Sequence, residues 1–282
     1  MIYIGTCSWK YTSWEGMVYD SFSNEDMLAQ YARHYRSVEV DQWFWSLGKQ
    51  SYHLPDPATV LSYDQATSEQ FRFTIKCPNA LTLPFAYGSS EAMNPWFLDA
   101  EVFYRFLERL GPLVSKVGLF MFQFAYLNQK AMRERMVFEQ KLQTFLAMLP
   151  DSLPYAVEIR NPNWIDSSWF EFLHANRMAP VLLSGYWMEN PLTALQLFEQ
   201  SKGDTLCIRL HGDDRSGIEK ETGGIWNRIV KNKDDELASI APKIVELAKA
   251  GRVVYINVNN HYEGSAPMTI EKLIAYLGGV YE

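Results

Sequence analysis

Short apolar and β-branched runs recur along this chain, spaced so that a helix fits between each pair. Ile2–Thr6 opens the series as an apolar strand. Ser37–Asp41 alternates, with Glu39 and Asp41 on the face opposite Val38 and Val40. Phe71–Cys77 places Arg72, Thr74 and Lys76 on one side and is stopped by Pro78. Val117–Phe124 is almost wholly apolar, as a strand covered on both faces should be, and carries Gln123 near its end. Tyr155–Arg160 sets Glu158 and Arg160 on a shared face, and Pro180–Leu183 is the sixth run. Thr205–Gly212 reads T-L-C-I-R-L-H-G, so Arg209 and His211 leave the same face just before a glycine turn. Arg252–Asn257 is the eighth strand.

Helical spacing fills the intervals. Met27, Leu28, Tyr31, Ala32 and Tyr35 share one side behind Ser23 and Asp26, which resemble a capping box. Further helices are predicted near Thr59–Ala66, Asp99–Leu110, Met132–Met148 and Ser168–Asn176. Asp234–Ala250 is a well-patterned helix ended by Gly251, and Ala266–Leu277 closes the chain. Tyr186–Glu199 reads as a connection with one short helix. The segment after Gly212, with Asp213, Asp214, Arg215 and Gly223-Gly224, reads as a long moving loop. Eight strands alternating with helices, without a linker or break in composition, predict one α/β domain over 1–282, a parallel (β/α)8 TIM barrel.

Composition narrows the function classes. The 282 residues are 48% hydrophobic, enough for a large core, and carry a net charge of −7. That charge disfavours nucleic acid as a partner and argues against an anionic membrane surface. Cys7, Cys77 and Cys207 form no C-x-x-C pair, and Ile2-Tyr3-Ile4 reads as a strand rather than a leader. The expectation is a cytoplasmic protein without a membrane partner. No Walker loop, G-x-G-x-x-G or G-x-S-x-G occurs, so nucleotide-cofactor enzymes and α/β-hydrolases are disfavoured.

A barrel gathers its eight strand ends on one rim, where such folds keep their chemistry. The polar groups predicted there are Thr6 and Ser8, Glu39 and Asp41, Lys76, Gln123, Glu158 and Arg160, Arg209 and His211, and Asn257, Asn259 and His261. Two readings stay open: a polar plug that satisfies itself, or a ligand site; the cost of burying charge favours the second. Glu158 is the candidate base or stabilising carboxylate, Glu39 its acid/base partner, and His211 the proton donor by virtue of its ordinary pKa. Arg209 and Lys76 are candidate anion clamps, with Arg160, Gln123, Asn257 and Asn259 orienting the ligand. On this reading Arg209→Ala removes binding and leaves the fold intact. Lys76 would suit Schiff-base chemistry if desolvated, although lysines at strand ends are more often ion-paired. Trp9 and Trp164, among Tyr11, Trp14, Trp43, Phe44 and Trp45, follow strands and are candidates for stacking on a ligand, the alternative being a buried lid. No cofactor is expected. A metal is the weaker option, and His211, His261, Glu39 and Glu158 would be its ligands.

The motifs together resemble a known family. Gly5-Thr6-Cys7-Ser8-Trp9 with Trp14, Val38-Glu39-Val40, Phe71-Arg72-Phe73 with Lys76 and Pro78, and Phe122-Gln123-Phe124 carry the likeness. So do Ala156-Val157-Glu158-Ile159-Arg160 with Pro162 and Trp164, Arg209-Leu210-His211-Gly212, and Asn259-Asn260-His261 with Gly264, Ala266 and Pro267. In order and over nearly the whole length they resemble the YecE-like proteins, a domain of unknown function. The resemblance implies a TIM barrel distantly akin to barrel endonucleases and sugar-phosphate isomerases, and it brings no established reaction. Departures are Asp41-Gln42-Trp43-Phe44-Trp45, where the family usually has Asn-Ser and then Phe-Tyr, and Asn161 in place of a common His. A His usual after the third strand is also missing from Asn79–Leu83. These changes weaken the metal option and leave Glu39, Lys76, Gln123, Glu158, Arg160, Arg209, His211 and Asn259 as the matching set. The expected function is binding of, or action on, a sugar or phosphorylated metabolite, as a hydrolase, lyase or isomerase. The alternatives are a nucleic-acid-binding phosphodiesterase and a non-catalytic ligand binder.

Overall fold

The computed structural model describes residues 1–20, 26–188 and 190–279. Eight strands are joined edge to edge in sequence order into a closed barrel. They are β1 (Ile2–Thr6), β2 (Ser37–Val40), β3 (Arg72–Lys76), β4 (Val117–Gln123), β5 (Tyr155–Glu158), β6 (Met178–Gly185), β7 (Thr205–Gly212) and β8 (Val253–Val258). Every neighbouring pair, including β1 with β8, is parallel. This is the predicted TIM barrel.

The helices are α1 (Met27–His34), α2 (Pro57–Gln65), α3 (Ala100–Leu110), α4 (Arg135–Leu146), α5 (Ser167–Ala175), α6 (Pro191–Gln200), α7 (Arg215–Thr222), α8 (Asp234–Lys249) and α9 (Ala266–Leu277). Aspartates start several of them: the side chains of Asp26, Asp56, Asp99 and Asp166 accept from backbone N–H groups of the first turn. Asp26 is thus the cap of α1, while Ser23, its proposed partner, lies outside the described residues. The segment after Gly212 departs from expectation, because it contains α7. Asp214 caps that helix, Arg215 pairs with Glu219 one turn on, and Gly223 ends it at φ 63°. Only Ile218 and Thr222 are buried there, so the helix left no apolar stripe to read.

Two apolar layers hold the barrel. Outside it, Phe103 of α3 touches Phe106, Phe120, Phe122, Phe145 and Tyr155 between barrel and helices. Inside, Leu119, Met121, Ala156, Ala179, Val181, Cys207 and Tyr255 form a separate cluster, and Tyr3 stacks on Tyr255 at 4.9 Å. The interior below the mouth is therefore filled with side chains. Among the described residues no helix is long and apolar enough to cross a membrane.

β1 and β2 approach so closely that a Cβ on Gly5 would lie 1.9 Å from the Ser37 carbonyl oxygen. Gly5→Ala is expected to destabilise the fold toward the upper end of the roughly 1–3 kcal/mol typical of overpacking. Urea unfolding measures this, and a variant as stable as the parent would contradict the close approach.

Candidate functional site

The inward faces of the strands meet in a buried charge network above the apolar interior. Its centre is Arg209 of β7, which is 1% exposed. Its Nε and Nη2 donate to the two oxygens of Glu39 on β2, at 2.8 and 2.7 Å. Its Nη1 donates to Glu158 Oε2 on β5 at 2.5 Å and to Gln123 Oε1 on β4 at 3.1 Å. Below, Asn257 Nδ2 of β8 donates to Glu39 Oε2 at 3.1 Å and to Thr74 Oγ1 at 2.9 Å. Arg160 Nε donates to the other Glu158 oxygen at 3.0 Å, and its guanidinium lies over the Tyr186 ring. Desolvation would raise the Glu158 carboxyl, but Arg209, Arg160 and Lys76 outweigh it and hold its pKa below the ordinary value.

This geometry corrects three roles. Arg209 is poorly available as an anion clamp, since four of its five N–H groups are committed to Glu39, Glu158 and Gln123 and the residue is 1% exposed. Glu158 is poorly placed to act as a base, because both its oxygens carry cationic partners and its proton affinity is lowered. Asn257 is fully buried beneath Glu39 and orients that carboxylate rather than a ligand. The two carboxylates are thus paired within the protein, while Asn257 Oδ1 is left buried without a hydrogen-bond partner.

Two groups stand apart from this network. Lys76, at the end of β3, is 7% exposed, and its Nζ lies 3.9 Å from the centre of the Phe44 ring. Among the described residues it makes no hydrogen bond or ion pair. Desolvation, helped by Arg209, lowers its pKa to about 8 against the pull of Glu39, Glu158 and Asp41. Lys116, equally buried, is by contrast fully engaged: its Nζ meets Asp64 Oδ1 at 2.8 Å and the carbonyls of Asp64 and Thr67. His211, two residues beyond Arg209, contacts Cys7 Sγ through Nε2 at 3.5 Å. Desolvation, then Arg209, Lys76 and Arg160, push its pKa well below 6.5. It is a neutral imidazole near neutral pH, not the ready proton donor its ordinary pKa suggests.

The remaining candidates turn elsewhere. Asn259 Oδ1 holds the His261 ring at Nδ1, 2.6 Å away, and His261 Nε2 meets Glu219 of α7 at 2.9 Å. Trp9 packs edge-on against Tyr63, and Trp164 packs on Phe138; both are buried in the core and present no stacking face. Trp14, Trp43 and Phe44 are buried too, and Trp45 is exposed. Thr6 faces outward, its hydroxyl meeting Tyr31 OH and the Ser8 carbonyl. Cys7 takes the inward place, and the run that precedes it, apolar on both faces, carries no signal of this.

The proposed metal set of His211, His261, Glu39 and Glu158 is not assembled. Among the described residues one group has metal-ligating atoms close together, Cys7, Glu39 and His211, all within 4.8 Å of one another. Both Glu39 oxygens there already accept from Arg209, whose positive charge opposes a cation.

Residues 3–282 match the family model described as "Protein of unknown function DUF72". The chain belongs to the DUF72 family. It is 28% identical over 165 residues to the UPF0759 protein YecE of Escherichia coli K12, a match covering 58% of this chain and 50% of that protein. The chain spans about half the length of the curated relatives it matches. A crystal structure of a DUF72 family protein from Enterococcus faecalis is similar with a TM-score of 0.71 and 20% identity, covering 100% of this chain and 97% of that one. One from Thermotoga maritima gives 0.65 and 20%, covering 97% of each. The likeness to these structures shows the fold.

Removing Arg209 strips buried Glu39 of its cation and leaves Glu158 with Arg160 alone, so Arg209→Met should cost about 3–5 kcal/mol of stability. This replaces the expectation of an intact fold, and urea denaturation with a Glu39→Gln control measures it. Lys76 has a folded pKa of about 8 against 10.5 for an unperturbed lysine, so stability should rise with pH across that interval. Relative to Lys76→Met, the parent should gain up to about 3 kcal/mol between those pH values. A pH-independent difference between the two proteins would show that Lys76 titrates normally.

Proposed function

We propose that the mouth of this DUF72 barrel binds a small anionic molecule, such as a phosphorylated or carboxylated metabolite, with Lys76 as its main contact. The observation that supports this reading is a lysine only 7% exposed whose Nζ meets the Phe44 ring face but has no hydrogen-bond or ion-pair partner among the described residues. An unpaired buried charge is unfavourable, and an anion on Nζ removes that cost. Charge balance is compatible with this. Three cations, Lys76, Arg160 and Arg209, offset the carboxylates Glu39, Glu158 and Asp41, so the mouth carries no excess negative charge inside a chain of net charge −7.

Other donors are on hand. Arg160 uses only Nε among the described residues, and Gln123 uses only its oxygen, so both retain N–H groups for a ligand. His211, kept neutral, offers one N–H and one lone pair. Acid/base work on a bound ligand would fall to this imidazole and to the Lys76 amine, with Glu158 fixing the cations.

Thermal-shift titration with inorganic phosphate, sugar phosphates and small carboxylates tests the reading. At least one anion should stabilise the parent in proportion to the logarithm of its concentration. Lys76→Met and Arg160→Met should each weaken that response roughly tenfold or more, the worth of one charge-assisted hydrogen bond. Equal responses from parent and both variants would defeat the proposal.

A further inference from the structure

We propose that Lys76 is a nucleophile, and that the molecule it meets is an aldehyde or ketone bearing a carboxylate or phosphate, held as a Schiff base on Nζ. This inference rests on the anion-binding reading of the same site and adds the reacting group to it.

A lysine amine is made nucleophilic by desolvation and by a neighbouring cation. Lys76 has both. Its stem is buried at the end of β3, its Nζ lies against the Phe44 ring, and Arg209 is the cation that opposes its protonation. The Phe44 loop is itself fixed: Asn79 Oδ1 accepts from Ser46 N and Leu47 N at 2.9 and 2.7 Å, and Asn79 N donates to the Phe44 carbonyl at 2.7 Å. The charged groups that face Lys76 are Arg209 from β7, Glu39 from β2 with Asp41 just beyond it, and Glu158 from β5.

What distinguishes this lysine is where those carboxylates are held. Glu39 and Glu158 would each make a natural partner for an ammonium. Arg209 takes both oxygens of the first and one of the second, and Arg160 takes the other. Neither carboxylate is within ion-pairing distance of Nζ. A pKa of about 8 supports the same conclusion: at pH 7 about one molecule in ten carries the free amine, against a few in ten thousand for an ordinary lysine. Lys116, with equal burial and full pairing, is the internal contrast.

The chemistry balances without a cofactor. The neutral amine attacks the carbonyl carbon, the C–N bond forms, and the carbonyl oxygen takes up a proton to give a carbinolamine. Loss of that oxygen as water leaves the C=N bond, with no net oxidation or reduction, and addition of water restores the lysine. The protonated imine withdraws electrons from the adjacent carbon. Neutral His211 is the group on this rim suited to accept the proton released there.

Glyoxylate, an aldehyde carrying a carboxylate, is the probe, and cyanoborohydride traps its imine as a carboxymethyl group. In short pulses at pH 7, peptide mass spectrometry should find Lys76 modified about tenfold or more faster than exposed Lys49, Lys130 and Lys202, with Lys116 spared. Its rate should level off above pH 8, and glycolate, which lacks the aldehyde, should slow it. Modification of Lys76 no faster than of the exposed lysines overturns the nucleophile. If glycolate nevertheless raises the melting temperature of the parent but not of Lys76→Met, anion binding survives that failure; if it raises neither, both readings fall. Preferential modification that glycolate does not slow overturns the anionic part of the substrate class.

Discussion

A guanidinium that keeps its proton under all ordinary conditions is buried between two carboxylates, and the mouth of the barrel is arranged around that fact. Arg209 fixes Glu39 with two parallel hydrogen bonds and Glu158 with one, and it draws in Gln123. A buried ion network of this kind adds little net stability over a well-packed apolar equivalent, while losing one member is costly. Its effect here is to settle which charges are spoken for. Both carboxylates belong to the arginines, so among the described residues Lys76 makes no ion pair, and His211, facing three cations, is held well below its ordinary pKa. The state of the unpaired groups follows from that of the paired ones.

The difference between the two buried lysines illustrates how environment decides role. Lys116 sits beneath α2, where a carboxylate and two carbonyl oxygens converge on its Nζ, and it ties that helix to the barrel. Lys76 has an aromatic ring for company and a guanidinium nearby. Burial alone does not distinguish them; the direction in which the neighbouring oxygens are held does.

Much of this was legible in the chain itself. Two-residue periodicity put Arg209 and His211 on one face, and Glu39, Lys76, Gln123 and Glu158 at strand ends, which is where the barrel brings them together. Pairing was not legible, because Glu39 and Arg209 meet only when strands far apart in sequence close into a ring. Nor was the parity of β1: Ile2 to Thr6 is apolar on both faces, so nothing in the run says that Cys7, rather than Thr6, looks inward. Helix α7 escaped because caps and an ion pair define it rather than an apolar stripe. The tryptophans after the strands read equally as ligand platforms or as packing, and Trp9 and Trp164 prove to be packing.

The separation of the network's members also bears on how the molecule reaches its native state. Glu39 and Arg209 are 170 residues apart, and Asn257 and Glu39 are 218 apart. A β5–β8 half-barrel can bring Arg209 to Glu158, but Glu39 is met only from β7 and β8, so it must stay hydrated until the last strands dock. Closure of the ring and dehydration of the mouth become a single late event. A chain missing its final quarter would keep much of its apolar core sequence yet have no means of sealing the Glu39 side of the barrel. The buried charge network thereby doubles as a checkpoint on completion of the fold.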